Sequence, residues 1–456
     1  MNVKPVFKVV TSVIAYVLHL LLLVMPLHVK ADNLVSSEIW VSTDGDDRSE
    51  GTKEKPFATI HRALSHVREL RRMVNQDELG PVHVVLKGGT YRMDETLRLT
   101  ADDSGTPTSP TIIQANEGED VVLSGGIVVQ GWSEAGDVKG LPTTAKGHIW
   151  KASAPVINGE KLLFRQMWVG NSKMRRASTF DDLSMARIIS ADKKKCELII
   201  PRIEHTFAHP EQLEMIIIQD WVTNVMRVKS IQSVGNRSVL KFKEPESGIE
   251  FKRPWPILRA DESSYSNHMF YLTNAIELLN QPQEWFCDSI SGELYYWPRN
   301  GEETSTLEAV VPVLETLVSV SGEDCDWVEN ITFAGITFAH SSWLRPSLNG
   351  HVPLQAGQWL YDAYTDDASR AGNVAWVGRP SSAVSVSNAR NISFEDCNFR
   401  QTASTAIDFV AGTKNMKVRG CTFSDIGGTA ILAGYFGDKE FEAHEPYNPD
   451  SHYAVC

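Results

Sequence analysis

Apolar and polar residues alternate over short stretches through much of this chain, the pattern of half-buried strands. VHVVL (82–86), ETLRLT (95–100), PTIIQA (110–115) and DVVLSG (120–125) are divided by the turn clusters KGG, ADDSGTPTS and NEGE. IWVST (39–43) reads as an earlier strand. Short strands with turns this frequent predict an all-β design. One stretch has a different period. In FATIHRALSHVRELRR, Phe57, Ile60, Leu64 and Val67 fall on one helical face, with Pro56 near its start. A single amphipathic helix ahead of a β-rich chain suits a cap over an otherwise open core. From 131 to 310 the strands become longer and less regular, as in KLLFRQMWVG, EMIIIQDWVTNVMRVKSIQ and GELYYWP. This stretch reads as an inserted antiparallel β domain.

After residue 310 a repeat emerges. NITFAGITF (330–338), NISFEDCNF (391–399) and NMKVRGCTF (415–423) align, and Asn415, Cys421 and Phe423 each follow Asn391, Cys397 and Phe399 by 24 residues. AVSV (383–386), AIDF (406–409) and AILA (430–433) repeat in step. A fixed period in this range, built of short strands, predicts a solenoid. Each coil then holds about three strands, and like residues stack between coils. The expected fold is a right-handed parallel β-helix. Asn391 and Asn415, joined by Asn330, form an asparagine ladder at a sharp turn, which discounts the glycosylation triplets at Asn330 and Asn391. Asn330 and Asn391 are 61 residues apart, too far for one coil. The excess is a loop over 343–380, and loops this long in a compact fold are usually functional. Its Trp343, Trp359, Tyr361, Tyr364 and Trp376 suit stacking on sugar rings, or else packing of the loop on the coils.

Residues 1–31 stand apart. Lys4 and Lys8 precede a nearly continuous apolar run from Val13 to Met25, and Val29-Lys30-Ala31 offers small residues for cleavage near Ala31. This predicts a secretory signal peptide and a secreted or periplasmic location. The run is shorter than the ~20 residues of a membrane span. The whole chain carries a formal net charge of −13, and the leader removes only lysines. So acidic a chain is a poor partner for nucleic acid or anionic lipid. A neutral or mildly charged polysaccharide or oligosaccharide fits better, and a strongly polyanionic one needs a local basic groove. The six cysteines are widely spaced, with no disulfide framework and no zinc spacing. Cys397 and Cys421 read as stacked free thiols. No cofactor, metal or partner chain is expected, and the chain reads as a monomer.

Glycoside hydrolysis requires two carboxyl groups across the scissile bond, and neighbouring coils lie close enough to supply them. Alternation points Asp408 outward between Ile407 and Phe409, and Asp425 lies at the next turn. They are the candidate catalytic pair, although exposed acids are also the default for a solvated coil surface. His340 and His351 flank the aromatic loop and are candidates to orient a sugar hydroxyl. With Trp343, Trp359, Tyr361 and Trp376 they make up the expected binding set.

IWVSTDGDDRSEGTKEKPFATIHRAL, KGGTYRMDETLRLTADDSGTPTSPTIIQANEGEDVVLSGG, LLFRQMWVGNSKMRRAS, QPQEWFCDSISGELYYWP and TAIDFVAGTKNMKVRGCTFSDIGGTAILAG resemble the right-handed β-helix glycoside hydrolases. The resemblance is to glycoside hydrolase family 141, with related architecture in families 110 and 120. It implies a pectate-lyase-like solenoid and α-L-fucosidase or xylanase activity in polysaccharide breakdown. Such enzymes continue for further coils beyond GGTAILAG, whereas this chain stops at PYNPDSHYAVC. A missing set of C-terminal coils is therefore expected. Two other functions stay open: a polysaccharide lyase, which needs a basic proton abstractor beside a calcium-binding acid cluster, and a non-catalytic glycan-binding β-helix.

Overall fold

Each passage of the chain from about residue 79 onward visits three parallel sheets in the same order. The first contributes Leu79–Leu86, Gly89–Arg92 and Leu97–Leu99. The second supplies Thr111–Ala115, Val121–Ser124 and Val318–Ser321, and the third Val328–Ala334, Ile336–Ser341 and Ser382–Ser387. The fourth supplies Ala389–Glu395, Asn398–Thr402 and Thr405–Phe409; the fifth adds Lys417–Arg419, Thr422–Ile426 and Ile431–Ala433. This computed structural model describes residues 35–74, 78–180, 185–253, 256–261, 266–323, 325–354, 357–360 and 377–434. The leader, Tyr361, Tyr364, Trp376 and the stretch after 434 lie outside the described residues.

Register explains why the passages stack. Phe333 pairs with Phe394, and Phe338, Phe399 and Phe423 occupy one row. Their rings stack with centroids 5.2, 4.8 and 5.0 Å apart, close to the spacing of adjacent strands. The 24-residue repeat is thus the length of one passage. Asn330, Asn391 and Asn415 all have positive φ (53°, 57° and 56°), a conformation asparagine tolerates better than most residues. Asn415 Nδ2 donates to Asn391 Oδ1, and Asn391 Nδ2 donates to Asn330 Oδ1, both at 3.1 Å. The ladder ends where Asn330 Nδ2 donates to the Gly105 carbonyl. Cys397 is buried and Cys421 half-buried beside the same core, and both are free thiols.

The helix Ile60–Met73 buries Ile60, Ala63, Leu64 and Val67 in the core shared by the coils. It starts three residues after Phe57 because Thr59 is its cap: the Thr59 hydroxyl accepts from Arg62 N. Asp47 fixes the approach by accepting from the backbone of both Ala58 and Thr59.

The insertion, antiparallel as expected except that Ser172–Arg176 runs parallel to Glu284–Cys287, leaves the second passage after Ser124 and rejoins it before Val318. Gly126–Val129 pairs with Ala309–Pro312, so the two ends of the excursion close on each other. The sequence pattern places the insertion at 131–310; the pairing extends it to 126–312. An eight-stranded and a six-stranded sheet carry two further apolar cores.

Candidate active site

Both long excursions leave the coils at the same corner, between the second and third sheets. The inserted domain departs after Ser124 and the aromatic loop after Ser341, one passage later. At this edge of the second sheet, His340, Gln401 and Asp425 stack in one row, all with positive φ (60°, 55° and 50°). Such backbone is uncommon outside glycine and swings each side chain out of the coil.

This row seats a hairpin of the inserted domain, Met167–Val169 with Ser172–Arg176. Trp168 Nε1 donates to Asp425 Oδ2 at 2.7 Å, and Lys173 Nζ lies 3.6 Å from Asp425 Oδ1. Gln401 Nε2 donates to the Gly170 carbonyl, and Arg400 donates to Asn171. The Trp168 ring meets His340 edge-on at 5.4 Å, while His340 Nδ1 pairs with Ser124 Oγ at 2.9 Å. Burial pushes the His340 pKa down to about 4, with Arg400 and Arg92 adding to it. The sequence groups His340 with the loop as a sugar-orienting residue. The structure buries it under Trp168, because the insertion returns over the strand end that carries it.

Beside this seat lies a cleft of about 330 Å3 with three walls. Trp221, Val222, Thr223 and Val225 come from the inserted domain; Trp343, His351 and Leu354 come from the loop. The coils supply Ser404, Thr405 and Gly427–Thr429. Glycine is needed at 427, since a Cβ there would lie 2.3 Å from the Ala403 carbonyl oxygen of the coil beneath. Val225 and His351 exchange both backbone hydrogen bonds at 2.8 Å, which locks the loop to the insertion. Arg253 strengthens that joint by donating to the Pro353 carbonyl at 2.9 Å and pairing with the fully enclosed Glu250 at 2.7 Å. Burial raises the Glu250 carboxyl to about 7 against the pull of Arg253.

Among the described residues, two buried polar atoms on the cleft lining lack hydrogen-bond partners: His351 Nδ1 and Thr405 Oγ1. Buried polar atoms are normally hydrogen-bonded, and an orphan at a cavity wall suits a ligand. Burial pushes the His351 pKa to about 3, aided by Arg345, Arg165 and Arg253, so the imidazole is neutral. Trp343 lies 4.7 Å from the His351 ring. Trp359 packs behind both, with the Arg345 guanidinium 4.1 Å over its face and Gly378 against its edge. Trp359 is thus loop core, as its 6% exposure shows, and it is absent from the cleft wall. Trp221, 52% exposed, lines the cleft and was not singled out by sequence. The only signal is the polar break it makes with Asp220 inside a long strand pair. Tyr361 and Trp376 lie outside the described residues.

Asp408 and Asp425 flank the corner from different sheets, as their separation in the repeat implies, and neither is among the residues that line the cleft. Asp408 faces outward from the third sheet yet is only 2% exposed. Arg379, where the loop returns, covers it with two bonds of 2.5 Å. Burial raises the Asp408 pKa and Arg379 opposes the shift. The expectation of a solvent-facing acid therefore meets a covered one. Among the described residues no cluster of three or more His, Cys, Asp or Glu side chains is arranged to hold a metal.

A family model described as "GH141 insertion domain" matches residues 147–299. A solved structure named "Glycoside hydrolase" is 37% identical, with a TM-score of 0.82, covering 91% of this chain and 70% of that one. Pectate lyase PEL9 of Emericella nidulans is 33% identical over 92 residues, 20% of this chain and 19% of that protein. The uncharacterized protein YwoF of Bacillus subtilis is 38% identical over 87 residues, 19% of this chain and 15% of its own length. The match therefore spans less than a fifth of the length of either curated relative.

Proposed function

The chain belongs to the glycoside hydrolases of the family 141 type, and from that membership we propose that it is exported and hydrolyses plant or host polysaccharide at the three-walled cleft. One observation carries this reading. Exposed Trp221 and half-buried Trp343 face a cavity where His351 Nδ1 and Thr405 Oγ1 wait unpartnered. Aromatic faces with a few converging polar atoms are what a sugar ring requires. We read the three-sheet stack as a right-handed parallel β-helix of pectate-lyase type. The leader at 1–31 supports export, and no described helix is long and apolar enough to cross a membrane. The substrate class carried over from the resemblance is an α-L-fucoside or a xylan, and the chain acts as a monomer.

In this reading Arg379 must first leave Asp408, and the freed carboxyl, whose pKa burial raises, then protonates the leaving oxygen. Asp425, held by Trp168 and Lys173, is the second carboxylate. It either takes a proton from the attacking water or bonds to the anomeric carbon. Asp408→Asn and Asp425→Asn should each reduce hydrolysis of fucosylated or xylan substrates by about 10²-fold or more. Unchanged hydrolysis in both variants would refute the assignment. The partners already clamping both carboxylates favour a second reading, glycan binding without cleavage. That reading predicts unchanged glycan affinity in both variants and no product from the parent. The partial match to a pectate lyase favours a third, elimination, whose unsaturated product absorbs near the ultraviolet edge.

A further inference from the structure

A second cavity, of about 340 Å3, lies within the inserted domain. Arg165, behind its wall, and Arg176, on it, both reach one lining carboxylate, Glu214, at 2.6 and 2.8 Å. The third partner of Glu214 is the neutral Ser347 hydroxyl at 2.7 Å. Burial alone would raise the Glu214 carboxyl; the two guanidiniums outweigh it and hold it well below the usual range. All three charged side chains are largely enclosed, with 10%, 14% and 3% exposure for Arg165, Arg176 and Glu214. Two cations against one anion leave a buried surplus of positive charge, and such a surplus is costly without a counter-ion. Arg176 lines the cavity, and its buried Nε has no hydrogen-bond partner.

The rest of the wall does not cancel the surplus. Lys161 Nζ donates to the Ser291 carbonyl, and Lys243 Nζ donates to the Glu211 carbonyl at 2.9 Å. Both acceptors are neutral, so both ammonium charges remain. Arg227 is matched by Glu246. The wall acids are Glu211, beside His209, and Asp288, which already accepts from Gln212, Ile290 N and Ser291. Apart from Arg227, three lining cations (Arg176, Lys161 and Lys243) face three lining carboxylates (Glu211, Glu214 and Asp288), and Arg165 behind Glu214 adds the unmatched positive charge, in a chain whose net charge is −13. Leu162, Phe164, Leu213 and Ile290 add apolar surface.

We propose that this cavity is a subsite for an anionic sugar, one bearing a carboxylate or a sulfate. The anionic group sits against Arg176 and the two lysines, and the ring lies on the apolar side chains. The helix Arg345–Asn349 separates this cavity from the cleft: Ser347 borders the one, while Trp343 and His351 border the other. A branched glycan crossing that helix can present its neutral portion to the cleft and its acidic substituent to the inserted domain. The subsite does not require that the cleft be catalytic.

Calorimetric titration of the full chain tests this with glucuronic acid, galactose 6-sulfate, glucose and galactose. At least one anionic sugar should bind ten-fold or more tighter than its neutral counterpart, and added salt should weaken it. Whichever anionic sugar binds tighter identifies the acidic group. Lys161→Ala with Lys243→Ala should remove that preference without changing the urea midpoint, and Lys-to-Arg changes at both positions should restore it. Asp408→Asn should keep it, which separates this site from the hydrolytic reading. Equal binding of charged and neutral sugars would overturn the proposal, as would undiminished preference in the double variant. Inorganic sulfate binding as tightly as either acidic sugar would also overturn it.

Discussion

Replacing His351 with glutamine should make the protein markedly less sensitive to acid. The imidazole is 6% exposed, and burial with Arg345, Arg165 and Arg253 nearby lowers its pKa from 6.5 to about 3. In the unfolded chain it protonates near 6.5. Between these values the unfolded state binds a proton that the folded state refuses. Stability is therefore full above about pH 6.5, falls as pH drops, and levels off below about 3. Each pH unit in the window corresponds to about 1.4 kcal/mol. His351 alone then removes about 2.7 kcal/mol between pH 6.5 and 4.5, and about 5 over the whole window. Glutamine keeps a neutral polar group in the wall and cannot titrate. Urea unfolding followed by tryptophan fluorescence, at about pH 7 and 4.5, gives the stability of each chain by linear extrapolation. The loss between the two pH values should be smaller in the variant by roughly 2–3 kcal/mol. His340 and the carboxylates titrate in both chains and cancel in the comparison. An equal loss in both would mean that the imidazole is not sealed between the loop and Val225, and the cleft built around it would fail with it.

Trp221→Ala should weaken glycan affinity by about ten-fold, near the upper end of an aromatic contact; unaltered binding would remove this ring from the site. Asn391→Ala should cost about 2–3 kcal/mol in urea unfolding, from two ladder hydrogen bonds at about 1 kcal/mol each and a further penalty for alanine at φ 57°. Asn391→Gly should cost less, because it relieves the backbone term alone; an equal cost would contradict that division.

Much of the coil architecture was legible because stacking repeats identical residues. Asn391 and Asn415, and Phe399 and Phe423, are related by the same 24-residue step that brings them into contact. Alternation also put Asp408 on the outer face. It could not reveal that Arg379 covers it, since that cover comes from the return of a loop and not from the strand's own period. His340 shows the same limit. Its place near the loop in sequence suggested a sugar contact, but a hairpin some 170 residues earlier folds back over it. Trp221 was hidden for the converse reason. It sits with Asp220 in the turn between two apolar strands, and only the docking of the inserted domain puts it at a cleft mouth.

The shared corner explains how a stack of short strands acquires a deep site. A face of stacked strands is shallow, because each passage contributes one side chain per row. Depth requires walls, and walls require chain that leaves the stack and returns without disturbing the register. The pairing of Gly126–Val129 with Ala309–Pro312 meets that condition for the insertion, and the Arg379–Asp408 pair helps meet it for the loop. Because the two departures are one passage apart on the same edge, their walls meet, and Val225 and His351 join them by backbone hydrogen bonds. The row of His340, Gln401 and Asp425 then has a structural duty as well as any chemical one: it seats the hairpin that fixes the angle of the inserted wall. An Asp425→Asn variant therefore touches both duties. Asparagine keeps an oxygen acceptor for Trp168 Nε1 but loses the negative charge facing Lys173. A loss of hydrolysis with the urea midpoint unchanged locates the effect in the chemistry, whereas a matching loss of stability locates it in the seat.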